Sequence, residues 1–158
     1  MDLPKRKNNR LKNFDYGSKG AYFITICTRD RKNILCNIVE ADTIRPCKIV
    51  LSNYGKTVQE AINRIPNIYE NVSVQKYAIM PNHIHIILKI SNNNGRMVSA
   101  PTVVAGMKRY VSKQCGVPIW QKSYYDHIIR DQEDYNEIWE YIENNPQKWI
   151  MTHKTQDT

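Results

Sequence analysis

The stretch 77–88, Tyr-Ala-Ile-Met-Pro-Asn-His-Ile-His-Ile-Ile-Leu, is the most informative part of this sequence. Its second half, continued to residue 90, is rich in isoleucine and therefore favours a β-strand. Side chains two residues apart in a strand point to the same face. We therefore expect His83 and His85 to project side by side, with the alternate apolar residues pointing the other way, into a core.

The residues before the histidines complete a hairpin. Residues 72–79 are also typical of a strand, and Pro81-Asn82 supplies the turn, because proline presets φ and asparagine tolerates the second central position. Around this hairpin, apolar periodicity predicts further elements. The predicted strands are 21–28, 48–51 and 119–129. The first predicted helix starts at a cap on Ser52 or Asn53 and ends at residue 65, before Pro66. The second covers 102–114, and the third covers 132–144 after a cap at Asp131.

This order of strands and helices predicts an α+β fold. An antiparallel sheet with helices packed on one face would bury the apolar side of each element, and several topologies satisfy that pattern. The length of 158 residues suits a single domain with a real core. We expect that domain over 20–150, preceded by a basic flexible arm at 1–19 and followed by a polar tail at 151–158.

The net charge of the chain is +8 at pH 7, which implies an anionic partner. Nucleic acid is the first candidate, and a generic basic surface is the alternative. No segment approaches the ~20 apolar residues of a membrane span, and the basic N-terminus lacks the apolar stretch of a signal peptide. The four cysteines contain no Cys-x-x-Cys pair, which argues against a zinc knuckle and a disulfide framework. We expect a cytoplasmic, nucleoid-associated protein with no membrane partner.

The histidine pair indicates a metal site, because neutral imidazole is a common metal ligand. A solvent-facing polar pair on a half-buried strand is the plain alternative. Two imidazoles fix one side of a cation but rarely suffice for a hard metal, so a third ligand, an oxygen, is expected.

Two separated motifs resemble one protein family. Residues 80–88 are similar to the histidine–hydrophobe–histidine (HUH) signature of single-tyrosine transposases, especially the REP-associated tyrosine transposases. The segments 120–130, Trp-Gln-Lys-Ser-Tyr-Tyr-Asp-His-Ile-Ile-Arg, and 141–146, Tyr-Ile-Glu-Asn-Asn-Pro, resemble the tryptophan strand and the tyrosine helix of that family. The resemblance implies a ferredoxin-like (RRM-like) fold with the HUH histidines on a central strand.

The resemblance also implies the chemistry. Tyr141 would be the nucleophile that forms a 5′-phosphotyrosine, and His83, His85 and Asn145 would hold a divalent metal, Mg²⁺ or Mn²⁺. Tyr141 and Asn145 are four residues apart and therefore share a helix face. The alternatives are that Tyr141 is a packed aromatic and that Asn145 caps a helix ending before a proline.

Two other tyrosines are rivals for the role of nucleophile. Tyr135 shares a helix face with Ile138 and Ile142, which favours a place in the core. Tyr110 lies on the second predicted helix.

Further residues are candidates for contacts with DNA. Cationic side chains would meet phosphates, and exposed aromatic rings would stack on unpaired bases. Solvated faces, core packing for the tyrosines and Trp120, and a structural role for the histidine are the alternatives. These candidates are Lys5, Arg6, Lys7, Arg10 and Lys12 in the arm, Lys108, Arg109 and Lys113 on the second helix, and Tyr124, Tyr125, His127 and Arg130 around the last strand.

The function that best fits these features is that of a metal-dependent single-stranded DNA endonuclease and strand transferase, a transposase. Its partner would be single-stranded DNA, and the family resemblance implies DNA hairpins as well. It would act as a monomer or homodimer. A non-catalytic nucleic-acid-binding module on the same fold, a repressor or RNA binder, is the main alternative. A small metal-dependent hydrolase of other substrates would fit the histidines but not the charge.

Overall fold

Six strands and three α-helices lie within residues 19–40, 47–91 and 98–154, the part of the chain that the computed structural model describes. A 3₁₀ turn, Arg29–Arg31, lies between the first and second strands. The elements are β1 Gly20–Cys27, β2 Cys36–Val39, β3 Lys48–Leu51, α1 Asn53–Ile68, β4 Val72–Ile79, β5 His83–Ile90, α2 Ala100–Cys115, β6 Tyr125–Ile129 and α3 Gln132–Lys154.

Four of the strands form one antiparallel sheet in the order β4-β5-β1-β6. This is the ferredoxin-like arrangement, and the predicted α+β class is confirmed. The histidine strand β5 lies in the interior of the sheet, paired with β4 on one side and β1 on the other. In this register His83 lies opposite Cys27, while His85 lies between Thr25 and Ala78.

The two faces of the sheet carry separate cores. Tyr22, Ile24 and Ile26 of β1 belong to the larger core, which they share with α1 and α2. The opposite face carries Phe23 and Ile87, which pack with Ala78 against Ile138 and Ile142 of α3.

The expectation of helices on one face therefore holds for α1 and α2 but not for α3. The sequence places apolar side chains on both faces of β1 and β5, and the second apolar face also has to be covered. That second face is the one that carries the histidines, so His85 is only 3% exposed instead of facing solvent.

Two predicted helix ends were wrong, both at prolines. Helix α1 continues past Pro66 to Ile68, and α3 continues past Pro146 to Lys154. An internal proline removes one backbone hydrogen bond. In α3 this loss is offset by packing, since Pro146 and Ile150 are both buried. Asn145 is therefore not a helix cap, and residues 151–154, expected in the polar tail, belong to the helix.

The other boundaries shift less. Ser52 caps α1 by accepting a hydrogen bond from the backbone N–H of Gly55. The carboxylate of Asp131 caps α3 by accepting one from the backbone N–H of Asp134. Helix α2 begins at Ala100, two residues earlier than predicted. The strand predicted over 119–129 is only Tyr125–Ile129, because Trp120 makes a single bridge to Thr28 and then packs into the larger core.

Strand β3 falls where it was predicted, and its partner β2 was not predicted. Across the described residues, we find no helix with the length and apolar character needed to cross a membrane.

Candidate metal and tyrosine site

The paired histidines point the same ring nitrogen at each other. Their Nε2 atoms are 3.2 Å apart, and the ring planes are inclined by 72°. Two nitrogen ligands about 2.1 Å from one cation lie about 3.0–3.4 Å apart for right-angled to tetrahedral geometry. The pair therefore has the spacing of two neighbouring ligands of one cation.

The outer nitrogen of each ring is already engaged. The Nδ1 atom of His83 lies 2.7 Å from the side-chain oxygen of Asn82, and the Nδ1 atom of His85 lies 2.8 Å from the hydroxyl of Thr25. Such contacts fix ring orientation in metal sites. The two Nε2 atoms are then the ones that would hold a shared cation.

Both imidazoles are neutral at pH 7. Burial, together with the nearby positive charge of Arg31, lowers the pKa of His83 to about 4. Burial, together with the neighbouring His83, lowers the pKa of His85 to about 3. Neutral imidazole is the form that binds metals, so neither ring has to lose a charge to bind a cation over the physiological range.

Helix α3 brings Tyr141 to the same place. The tyrosine ring stands edge-on to His85 with centroids 5.3 Å apart, and edge-on to Phe23 at 6.1 Å. Tyr141 is nevertheless 44% exposed, and the ammonium of Lys148 lies 5.8 Å from the centre of its ring. The predicted nucleophile is thus next to the histidines, open to solvent and close to a positive charge.

Asn145 lies between two residues of α3 that touch the histidine pair. Tyr141 is one turn before it, and Trp149, one turn after it, places its ring 6.1 Å from that of His83. Residues four apart share a helix face. Half-buried Asn145 therefore belongs to the stripe of α3 that covers the histidines.

A divalent cation held by the two imidazoles would need oxygen ligands to complete its coordination. Within the described ranges, no group of three or more histidine, cysteine or carboxylate side chains is placed to hold a metal. The two imidazoles would hold one side, and the amide oxygen of Asn145, water or phosphate would supply the oxygens that Mg²⁺ or Mn²⁺ prefers.

A basic turn beside the site was not predicted from the sequence. Arg29–Arg31 follows β1 after one residue, Thr28, and Asp30 and Arg31 adopt left-handed backbone with φ of 56° and 51°. Thr28 fastens this turn to the histidine hairpin by donating its N–H and its hydroxyl to the backbone oxygen of Asn82. The only sequence signal was a charged Arg-Asp-Arg-Lys run after a strong strand.

The predicted basic residues of the second helix lie away from the site. Helix α2 packs on the opposite face of the sheet from the histidines. The ammonium of Lys108 is bound there to the backbone oxygens of Gln121 and Lys122, at 2.7 and 3.2 Å, and Arg109 and Lys113 are exposed. The predicted contacts Lys5, Arg6, Lys7, Arg10 and Lys12 fall outside the described residues.

The two tyrosines predicted to contact DNA near the start of β6 lie in different surroundings. Tyr125 is 48% exposed, stands edge-on to Phe23, and lies opposite Thr25, so it borders the site. Tyr124 packs against the larger core.

His127 and Arg130 lie toward the far end of that strand. The Nε2 atom of His127 is 2.8 Å from the carboxylate of Asp134, a contact that joins β6 to the start of α3. Burial raises the pKa of Asp134, but hydrogen bonds from His127 and the backbone N–H of Arg130 outweigh this and hold the pKa below its usual value. This contact is the structural role considered for His127, and the guanidinium-bearing side chain of Arg130 is exposed.

The rival tyrosines do not approach the histidines. Tyr135 packs against the smaller core and lies 5.9 Å from the ring of Trp139. Tyr110 donates its hydroxyl to Glu60 at 2.7 Å and carries the guanidinium of Arg64 over its ring, on the face covered by α1 and α2. Tyr141 is the candidate that the fold places beside the pair.

Fold and site together define a ferredoxin-like domain in which a paired-histidine strand faces a tyrosine-bearing helix. No family model matches the chain. It is 30% identical over 167 residues to an uncharacterized protein of Haemophilus influenzae, covering 91% of this chain and 89% of that protein. It is 23% identical over 138 residues to the REP-associated tyrosine transposase of Escherichia coli K12, covering 85% and 72%.

A solved structure shares the fold. It is a REP-associated tyrosine transposase bound to a REP hairpin, with a TM-score of 0.64, 22% identity, and coverage of 88% of this chain and 74% of that one. Over most of its length the chain is therefore similar in sequence and in fold to the REP-associated tyrosine transposases.

Proposed function

We propose that this protein is a metal-dependent, single-tyrosine DNA nicking and joining enzyme that acts on single-stranded DNA beside hairpins. The observation that carries the proposal is that the ring centroids of Tyr141 and His85 are 5.3 Å apart. A solvent-exposed phenol therefore lies beside a pair of neutral imidazoles. These residues are 56 positions apart in the chain, and each sits on its own element of the sheet face. A tyrosine that served only to pack the core would be buried, whereas Tyr141 is exposed.

The site residues would divide the work of phosphodiester cleavage. His83 and His85 would hold a divalent cation, with Asn145 as an oxygen ligand from α3. When bound, that cation supplies positive charge to the non-bridging phosphate oxygens and orients the phosphate. Arg31 and Lys148 add permanent positive charge on two sides of the site.

The covalent step would exchange one phosphoester bond for another. The hydroxyl oxygen of Tyr141 bonds to phosphorus and gives up its proton, while the bond from phosphorus to the 3′ oxygen breaks. That oxygen takes a proton and becomes a 3′-hydroxyl, and the 5′ side stays attached as a phosphotyrosine. Attack by a 3′-hydroxyl on the phosphotyrosine reverses the step, so strands can be rejoined without ATP.

The proposed substrate follows from the surface beside the site. Tyr125 offers an exposed ring on which an unpaired base could stack, a sequence-tolerant way to hold single strands. The net charge of +8 favours any nucleic acid. The structural relative is bound to a REP hairpin, and we propose a hairpin with single-stranded flanks as the ligand here.

The test is a covalent-adduct assay. Labelled hairpin DNA with single-stranded flanks is incubated with the protein and Mn²⁺, and a slowly migrating adduct is sought on a denaturing gel. We expect an adduct whose modified peptide, by mass spectrometry, contains Tyr141. Tyr141→Phe should abolish the adduct, and Tyr135→Phe should retain it because the ring of Tyr135 packs beside Trp139 near the start of α3, whereas the ring in contact with His85 is that of Tyr141.

Two results would contradict the proposal. Modification of Tyr110 or Tyr135 would show that the nucleophile was misplaced. Absence of any adduct with metal and hairpin present, while the hairpin still binds, would favour a binding module without catalysis.

A further inference from the structure

The hydrogen-bond chain through the histidines fixes where each ring proton lies. The side-chain oxygen of Asn82 can only accept, so the Nδ1 atom of His83, 2.7 Å away, must carry the proton. A neutral imidazole has one proton, which leaves the Nε2 atom of His83 as an acceptor.

The tautomer of His85 follows from that of His83. Its Nε2 atom lies 3.2 Å from the Nε2 acceptor of His83, and this contact is favourable only when His85 carries its proton on Nε2. The Nδ1 atom of His85 is then an acceptor, and the hydroxyl of Thr25, 2.8 Å away, is its donor.

A cation shared by the two Nε2 atoms requires the opposite tautomer of His85. Both Nε2 atoms must then present lone pairs, so the proton of His85 has to move to Nδ1. His83 needs no change, because its proton already lies on Nδ1. The two histidines are therefore not equivalent: one is prepared for the metal, and the other has to switch.

We infer that Thr25 is the positioning residue that permits this switch, by reversing the direction of its hydrogen bond to His85. A hydroxyl can donate or accept, whereas an amide oxygen, a carboxylate or an ammonium can do only one of these. Thr25 can therefore satisfy Nδ1 of His85 in both tautomers without moving a heavy atom. This inference rests on the metal site of the proposed function.

The packing around Thr25 supports this role. Thr25 lies directly opposite His85 in the paired strands β1 and β5, so its hydroxyl is held in register by the backbone. The ring of His85 is stacked on Phe23 at 5.3 Å, with the planes inclined by only 28°, and Tyr141 closes the other approach. A ring held in this way cannot turn over easily, so the proton must move rather than the ring.

Metal affinity tests the inference with two matched variants. Thr25→Val keeps the β-branched shape and removes the hydroxyl, and Thr25→Ser keeps the hydroxyl. The probe is Mn²⁺, titrated calorimetrically into the DNA-free protein, with thermal unfolding as a check on folding. We expect Thr25→Val to raise the Kd for Mn²⁺ about 10–100-fold and Thr25→Ser to stay within about threefold of the original protein.

The tautomers themselves are read by two-bond ¹H–¹⁵N correlation spectra of the imidazoles. In EDTA we expect His85 to carry its proton on Nε2 and His83 on Nδ1. With Mg²⁺, which is diamagnetic, both rings should carry it on Nδ1. Finding the proton of His85 on Nδ1 already in EDTA would overturn the switch.

The outcomes separate the inference from the proposed function. Normal Mn²⁺ affinity in Thr25→Val, with affinity lost in His85→Ala, would overturn the role of Thr25 and leave the metal site standing. No Mn²⁺ binding by the original protein would overturn the metal site and the inference together.

Discussion

The buried histidine pair should make the protein lose stability as the pH falls. In the unfolded chain a histidine titrates near 6.5, whereas burial and nearby charge lower the pKa to about 4 for His83 and about 3 for His85. Between pH 6.5 and 4 the unfolded state therefore binds more protons than the folded state. Stability in this window rises with pH, so it is complete above pH 6.5 and is lost on acidification.

The size of the effect follows from the same pKa values. Lowering the pH from 6.5 to 4.5 costs about 2 kcal/mol for each histidine, because the slope approaches about 1.4 kcal/mol per pH unit only once the unfolded histidine is mostly protonated. Because the two rings are in contact, the sum lies on the order of 3–5 kcal/mol, a large part of a stability of about 5–15 kcal/mol. Asp134, whose pKa is lowered from 3.8, acts below this window.

Urea unfolding followed by circular dichroism measures this prediction. EDTA is included so that a bound metal does not contribute, and curves are recorded at pH 7.0, 6.0, 5.0 and 4.5. The midpoint should fall steadily below pH 6.5. The double variant His83→Gln, His85→Gln should lose most of this dependence. Coincident curves from pH 7.0 to 4.5, or an undiminished fall in the double variant, would refute the reasoning.

Three further predictions concern single residues and the DNA interface. His85→Ala should lower the free energy of unfolding by about 1–3 kcal/mol, more than His83→Ala, because it empties a space between Phe23 and Tyr141; chemical denaturation measures both. Arg31→Gln should weaken hairpin binding and lower the slope of log affinity against log salt by about one, while Arg64→Gln, stacked on the opposite face, should change neither in fluorescence anisotropy titrations. Binding should fall steeply with NaCl and favour flanked hairpins over plain duplex, and a preference for duplex would favour a repressor.

Much of the fold could be predicted because its signals are local. The hairpin around Pro81-Asn82 and the alternation of β5 depend on neighbouring residues, and both elements fall where they were expected. The i and i+4 spacing of Tyr141 and Asn145 likewise sets their shared helix face before any tertiary contact is known.

Local signals could not predict that α3 covers the second face of the sheet. It depends on Phe23 and Ile87, which are apolar on the side of the sheet that the histidines suggested was solvated. The length of α3 was underestimated for a similar reason. Pro146 predicts a helix end, but burial of Ile150 against the protein outweighs one missing hydrogen bond.

The missed site residues are those whose proximity is long-range. Arg31 reaches His83 only because β1 and β5 pair with Cys27 opposite His83. Trp149 reaches His83 only because α3 does not end at residue 144. Nothing in the sequence marks Thr25 as a site residue, because it lies in an otherwise apolar strand. Its role depends on the strand register that places its hydroxyl beside His85.

The division of the interior into two unequal cores has a consequence for motion. Helices α1 and α2 share the large core with the sheet, whereas α3 packs on a smaller apolar patch through Ile138 and Ile142, with Pro146 and Ile150 also buried. Free energies of local opening scale with the apolar contacts that an opening breaks. The helix that carries Tyr141 should therefore open as a separate unit while the rest stays folded. In native-state hydrogen exchange, the amides of α3 should report a lower opening free energy than those of β1 and β5, so that the tyrosine can leave the histidines without global unfolding.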